Sequence, residues 1–170
     1  FWIVDVMRPR RFVELGTHSG NSFCAFLQAA ATVSSTGEFH AVDHWKGDDH
    51  AGGYGEDIYR DLSRYVETRY GASSALLRMS FDGAVDRFED SSIDLLHIDG
   101  LHTYEAVLHD FETWLPKMSG RGVVLLHDTA VRKGEFGVYR LFAELAQRYP
   151  SFEFVHSYGL GVVQTGTEEP

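Results

Sequence analysis

The chain of 170 residues contains one cysteine, Cys24, and only four prolines. One thiol cannot close an internal disulfide, so a core must hold the fold, and the pattern agrees with a reducing, cytoplasmic setting. Cys24 itself sits among apolar residues of a helix-periodic stretch and reads as a small core residue. Basic residues are also scarce: 15 Lys and Arg against 25 Asp and Glu leave a net charge of −10. Those cations are scattered rather than gathered in a stripe, so no nucleic-acid partner is expected. No apolar run approaches the roughly 20 residues of a membrane-spanning helix, and no charged-then-apolar leader precedes the fold. No membrane partner is expected either. Missing too are a G-x-S-x-G elbow, a phosphate-binding lysine loop and zinc-spaced cysteines, which leaves hydrolase, nucleoside-triphosphatase and zinc-site functions without support. The abrupt opening at Phe1-Trp2 reads as a segment cut from something longer.

What remains is a composition of 44% hydrophobic and 24% charged residues, that of an ordinary globular domain spanning residues 1–170. Strand-length apolar runs alternate with helix-periodic segments, the mark of an α/β fold with a mainly parallel sheet. Strands are predicted near Arg11 to Leu15, Glu38 to Asp43, Ala75 to Met79, Ile93 to Asp99, Gly122 to Asp128, Phe152 to His156 and Gly161 to Gln164. Helices are predicted near Asn21 to Val33, Glu56 to Tyr70, Phe81 to Arg87, Tyr104 to Leu115 and Val138 to Tyr149. "DLLHID" and "GVVLLHD" lack period-two alternation, as central strands covered on both faces do. Only "SYGL" separates the last two strands, too little for a crossover helix, so they must form an antiparallel hairpin.

The stretch "FVELGTHSGNSFCAF" runs from the first strand through a glycine turn into a helix. Its E-x-G-x-x-x-G spacing, Glu14 to Gly20, differs from the dinucleotide fingerprint, yet its glycines let a ligand approach the backbone. The first N–H groups of the helix, at Asn21 and Ser22, suit an anionic group such as a carboxylate. Asp43, ending the second strand, can accept hydrogen bonds from a ribose diol. Together these signals imply a nucleoside, and the acidic Glu14 favours one carrying a positive charge.

Glu14-Leu15-Gly16-Thr17-His18-Ser19-Gly20, Asp43, "SFDGAV" and the terminal hairpin resemble class I S-adenosylmethionine-dependent methyltransferases over nearly the whole chain. The segment "IDGLHTYEAVLHDFETWLPKMSGRGVVLLHDT" is similar to the branch associated with glycan and macrolide-sugar biosynthesis, which also holds proteins with hydroxylase names. The resemblance implies a three-layer Rossmann-like fold, a seven-stranded sheet in the order 3-2-1-4-5-7-6, and S-adenosyl-L-methionine across the ends of strands 1 and 4. Glu14, Gly16, Thr17, His18, Ser19 and Gly20 would then surround the methionine moiety, Asp43 the ribose, and Ser80, Phe81 and Asp82 the adenine, with Asp99 at the cofactor's edge. Thr17-His18 departs from the smaller residues common in that loop.

Asp99 and Asp128 end the fourth and fifth strands, so adjacent parallel strands bring both carboxylates to one edge of the sheet. Such oxygen ligands suit Mg²⁺ or another divalent cation. Resemblance to metal-dependent O-methyltransferases adds His127 to the metal set, with Thr129 where many of those enzymes carry Asn. His102, three residues past Asp99, reads as the general base for an acceptor hydroxyl, with Asp99 beside it. The competing reading of His102 is a loop residue capping the next helix. His97 reads as a buried histidine with a backbone partner, His109 and Asp110 as a solvated or packing face, and Trp45, Trp114 and Tyr139 as packing. In the glycine-rich acidic loop, Asp48, Asp49, His50 and Tyr54 are candidates to meet a polyhydroxylated acceptor. The expected activity is O-methylation of a sugar, glycan or other small hydroxylated acceptor, and a homo-oligomer is compatible with it. A non-haem metal oxygenase and a silent nucleoside-binding domain are the alternatives.

Overall fold

The computed structural model of the protein describes residues 1–47 and 55–169. A short helix α1 (Trp2–Met7) leads into β1 (Arg11–Leu15), α2 (Asn21–Thr32), β2 (Glu38–Asp43), α3 (Glu56–Tyr70), β3 (Ser74–Arg78), α4 (Phe81–Val85) and β4 (Ile93–Ile98). There follow α5 (Tyr104–Trp114), β5 (Met118–His127), α6 (Val138–Leu145), β6 (Ser151–Phe154) and β7 (Leu160–Gln164). One seven-stranded sheet runs β3-β2-β1-β4-β5-β7-β6. The first five strands are parallel, and β7 is antiparallel to both β5 and β6. This is the expected order and the expected terminal hairpin.

Period-two alternation divides the strand residues between two helical layers. Val13, Leu15, Leu96, Ile98, Val124 and Leu126 pack against Val107, Phe111 and Trp114 of α5 and Leu141 and Leu145 of α6. Phe12, Leu95, Val123 and Leu125 face Phe23 and Leu27 of α2 and Leu62 and Val66 of α3. Burying each such side chain contributes about 1.5–3 kcal/mol. Every residue of β4 is buried, and its two polar side chains, Asp94 and His97, are both paired. Trp45 and Trp114 are core residues, as expected. No helix among the described residues is long and apolar enough to cross a membrane.

Boundaries moved where local geometry overrode pattern. Helix α1 was not expected from the apolar pattern; its six residues end on Arg8 in a left-handed conformation. β5 begins at Met118, four residues before the expected Gly122, and its pairing with β4 is irregular between Ile93 and Leu95. It stops at His127 because Asp128 takes a positive φ of 63°. α4 and α6 end at Val85 and Leu145, each short of the expected end. Helix starts follow side-chain chemistry: Ser80 Oγ accepts from the Gly83 N–H at α4, and Thr103 Oγ1 from the Ala106 N–H at α5.

Candidate active site

The site lies along the carboxyl ends of β2, β1, β4 and β5, where the chain order reverses between β1 and β4. Gly16, at φ 86°, crosses so close to β4 that a Cβ would collide with the Asp99 carbonyl. Gly20, at φ 81°, turns the chain into α2 against the Leu62 side chain. Between them Asp43 pins the loop: its Oδ2 accepts from the N–H groups of Thr17 at 3.0 Å and His18 at 2.9 Å. Its Oδ1 accepts from the Trp45 N–H at 2.7 Å, and Trp45 Nε1–H donates to the His18 carbonyl at 2.8 Å. The strand-end carboxylate therefore builds the turn it borders.

A cavity of about 620 Å³ opens at this edge, within the range of small-molecule sites. Gly16, Thr17, His18 and Ser19 line one side with Asn21 and Ser22; Asp43 and His44 follow; Ser80, Phe81 and Asp82 line another side; Asp99, His102 and Asp128 close it. Gly20 lies behind the turn and supports it. Glu14, expected among the cofactor contacts, does not line the cavity. Its side chain is fully buried, away from the cavity lining, and its Oε2 lies 2.9 Å from His97 Nδ1. Alternation places Glu14 on the α2 side of β1, opposite Val13 and Leu15, which removes it from the cofactor-contacting set. His97 is buried as expected, but its partner is this carboxylate and not the backbone. The loop candidates Asp48, Asp49, His50 and Tyr54 lie outside the described residues.

Asp110 was not anticipated at the site. It lines the cavity, is 7% exposed, and burial pushes its carboxyl up to about 7, with the neighbouring His109 opposing the rise and Asp82 adding to it. His109 is exposed and bonds Asp82 at 2.8 Å, which raises its own pKa. The legible signal was spacing: Asp110 shares one helix face with Val107, Phe111 and Trp114, an apolar stripe interrupted by a charge. Gly100, Leu101 and Phe136 are further lining residues that the sequence did not single out.

At the β4/β5 end, residues remote in sequence converge. His127 Nδ1 is 3.0 Å from Asp99 Oδ1 and 3.0 Å from Asp128 Oδ1. His102 Nε2 is 3.3 Å from Asp99 Oδ1 and 3.5 Å from Asp128 Oδ2. Burial would push the Asp99 carboxyl up, but the neighbouring imidazoles of His102 and His127 outweigh it and hold the group well below the usual carboxylate range. Asp128 first and Asp99 second push the His127 imidazole up to about 10. Neither 3.0 Å contact has hydrogen-bond alignment, and His127 Nδ1 and Asp128 Oδ1 are buried without a hydrogen-bond partner among the described residues. Donor atoms of Asp99, His102 and His127 lie within 4.8 Å of one another, so a single cation can be shared between them. The ring of His102 stacks on Phe136 at 5.1 Å, and its carbonyl accepts from the Gly137 N–H. Thr103, not His102, caps α5.

A family described as a methyltransferase domain matches residues 13–129, and the chain belongs to it. An uncharacterized protein of Sinorhizobium fredii, y4gI, is 51% identical over 167 residues, covering 98% of this chain and 18% of that protein. The chain thus spans about a fifth of the length of that curated relative. The SAH-bound methyltransferase PaMTH1 of Podospora anserina superposes with a TM-score of 0.68 at 15% identity, over 96% of this chain and 74% of that one. The O-methyltransferase TomG of Streptomyces achromogenes, solved with SAM, gives 0.70 at 14% identity, over 97% and 77%. At such identities the likeness defines the fold, that of methyltransferases.

Proposed function

We propose that the domain is an S-adenosylmethionine-dependent O-methyltransferase for a small hydroxylated acceptor, assisted by a divalent cation. The supporting observation is that the glycine turn, Asp43 and Asp82 open onto the same cavity as Asp99, His102 and Asp128. The cofactor supplies a methyl group on a sulfonium sulfur: the acceptor oxygen forms the new C–O bond, the C–S bond breaks, and its electron pair stays on sulfur. Asn21 and Ser22 at the start of α2 offer N–H groups to the methionine carboxylate. Asp43 accepts three backbone N–H bonds already, which leaves at most one lone-pair direction for a ribose hydroxyl. Phe81 offers an aromatic face to the adenine.

Asp99 and His127, with Asp128 beside them, would hold a divalent ion, which would lower the pKa of an acceptor hydroxyl. A donor set that includes imidazole suits a transition ion better than Mg²⁺, which prefers oxygen alone. The His102 imidazole receives the hydroxyl proton, and the Asp99 and Asp128 carboxylates that face its Nε2 stabilise the resulting imidazolium. Two histidines and one carboxylate also form the donor set of an iron oxygenase, and their convergence keeps that reading second.

Calorimetry should show S-adenosylhomocysteine binding and NAD⁺ failing to bind. Labelled-methyl transfer, screened over phenols, catechols and nucleotide sugars, should fall about 10²–10⁴-fold in His102→Ala with the affinity for S-adenosylhomocysteine nearly unchanged. No binding would overturn the proposal. Acceptor-dependent oxygen uptake would favour the oxygenase, and binding without transfer to any acceptor the silent domain.

A further inference from the structure

Across the Asp99–His127 pair from the first cavity lies a second, of about 480 Å³. Phe26, His97, Leu125, His127, Phe154 and Tyr158 line it, and Ser22 lines both cavities. Strand alternation explains its polar floor. Glu14, His97 and His127 sit on the α2 face of β1, β4 and β5, continuing the apolar rows of Phe12, Leu95 and Leu125 toward the carboxyl edge.

His97 is 3% exposed and Glu14 fully buried. A carboxylate only accepts, so Glu14 fixes the proton of His97 on Nδ1 and leaves Nε2 as an acceptor. No described residue hydrogen-bonds that nitrogen. The His97 and His127 ring centroids are 6.1 Å apart, a gap that two neighbouring hydroxyls on one ring bridge when each makes its own hydrogen bond. A pyranose would turn most of its hydroxyls toward the carbon surfaces of Phe26, Leu125 and Phe154, a desolvation cost without compensating bonds.

We infer that the second cavity is the acceptor pocket and that it takes a planar aromatic diol. One hydroxyl reaches the Asp99 cluster, the other donates to His97 Nε2, and the ring packs on Phe26 and Phe154. This rests on the methyl-transfer reading.

The test is calorimetry on the protein preloaded with S-adenosylhomocysteine, using naphthalene-2,3-diol, 2-naphthol and methyl glucoside as probes. The diol should bind, the glucoside should not, and 2-naphthol should bind several-fold more weakly than the diol. Ala25→Trp fills the cavity from an exposed position of α2, where folding tolerates it, and should abolish diol binding while leaving the affinity for S-adenosylhomocysteine unchanged. In His97→Phe the preference for the diol over 2-naphthol should disappear. If that variant fails to fold beside the stranded Glu14, Ala25→Trp still decides. Diol binding that is absent, or equal in Ala25→Trp, overturns the pocket while normal binding of S-adenosylhomocysteine leaves the methyltransferase reading standing. If S-adenosylhomocysteine does not bind the wild type, the methyltransferase reading fails first and the acceptor role falls with it, even where the diol binds.

Discussion

Asp110 holds a carboxyl group in an apolar stripe, and its protonation links the cavity to stability. Its folded pKa, raised by burial to about 7, exceeds the unfolded value near 4. The folded state therefore holds a proton that the unfolded state loses, so the stabilisation is complete below about pH 4 and is lost as pH rises through 7. Asp110→Asn keeps the shape without the charge. Urea unfolding should show the variant gaining roughly 2–4 kcal/mol over the wild type between pH 4 and pH 8, and an unchanged difference across that range would place the carboxylate in solvent. At this scale sequence is least informative. His97 was legible as buried, but whether its partner was a peptide group or Glu14 depends on the pairing of β1 with β4.

The turn from β1 into α2 is the element on which the first cavity depends, and its glycines were read correctly as points of close approach. The obstacle each avoids came only from neighbouring elements: the Asp99 backbone for Gly16, and Leu62 of α3 for Gly20. Gly20→Ala forces a Cβ into the left-handed region and against Leu62, so destabilisation of about 1–3 kcal/mol is expected. Affinity for S-adenosylhomocysteine should fall at least tenfold, because Asn21 and Ser22 move with the turn. Normal affinity in a destabilised variant would show that the helix N–H groups do not hold the cofactor. In α5 the sequence located the helix start near Tyr104 but assigned its cap ambiguously. Thr103 caps, which leaves the His102 ring to stack on Phe136 and face Asp99.

Across the whole molecule, the opposite end of the sheet carries the anchor. Asp94, fully buried in β4, accepts from the Arg10 backbone and guanidinium and from Ser119. Burial would raise its carboxyl, but these bonds outweigh that and hold it at about 2. Because the folded pKa lies below the unfolded one, the stabilisation is present above about pH 4 and lost as pH falls through 2, and it amounts to about 2 kcal/mol. Asp94→Ala, which strands Ser119 and the Arg10 N–H, should cost roughly 2–4 kcal/mol at pH 7 with the affinity for S-adenosylhomocysteine unchanged, measured by denaturation and calorimetry. A fall in that affinity would mean that the two ends of the sheet are coupled. The sequence by itself determined the α/β class, the buried central strands and the antiparallel hairpin. Periodicity and connection length are local properties, and "SYGL" cannot span a crossover whatever surrounds it. The glycine turn and the strand-end acids were legible for the same reason. The sequence also brought Asp99 and Asp128 to one edge, but only the tertiary structure decided how His102 and His127 close on them, that Asp110 lines the first cavity, and that Glu14 turns its back on it. Side chains alternate along a strand, so a one-residue change of register exchanges the two faces, and register is fixed by packing between segments far apart in the chain.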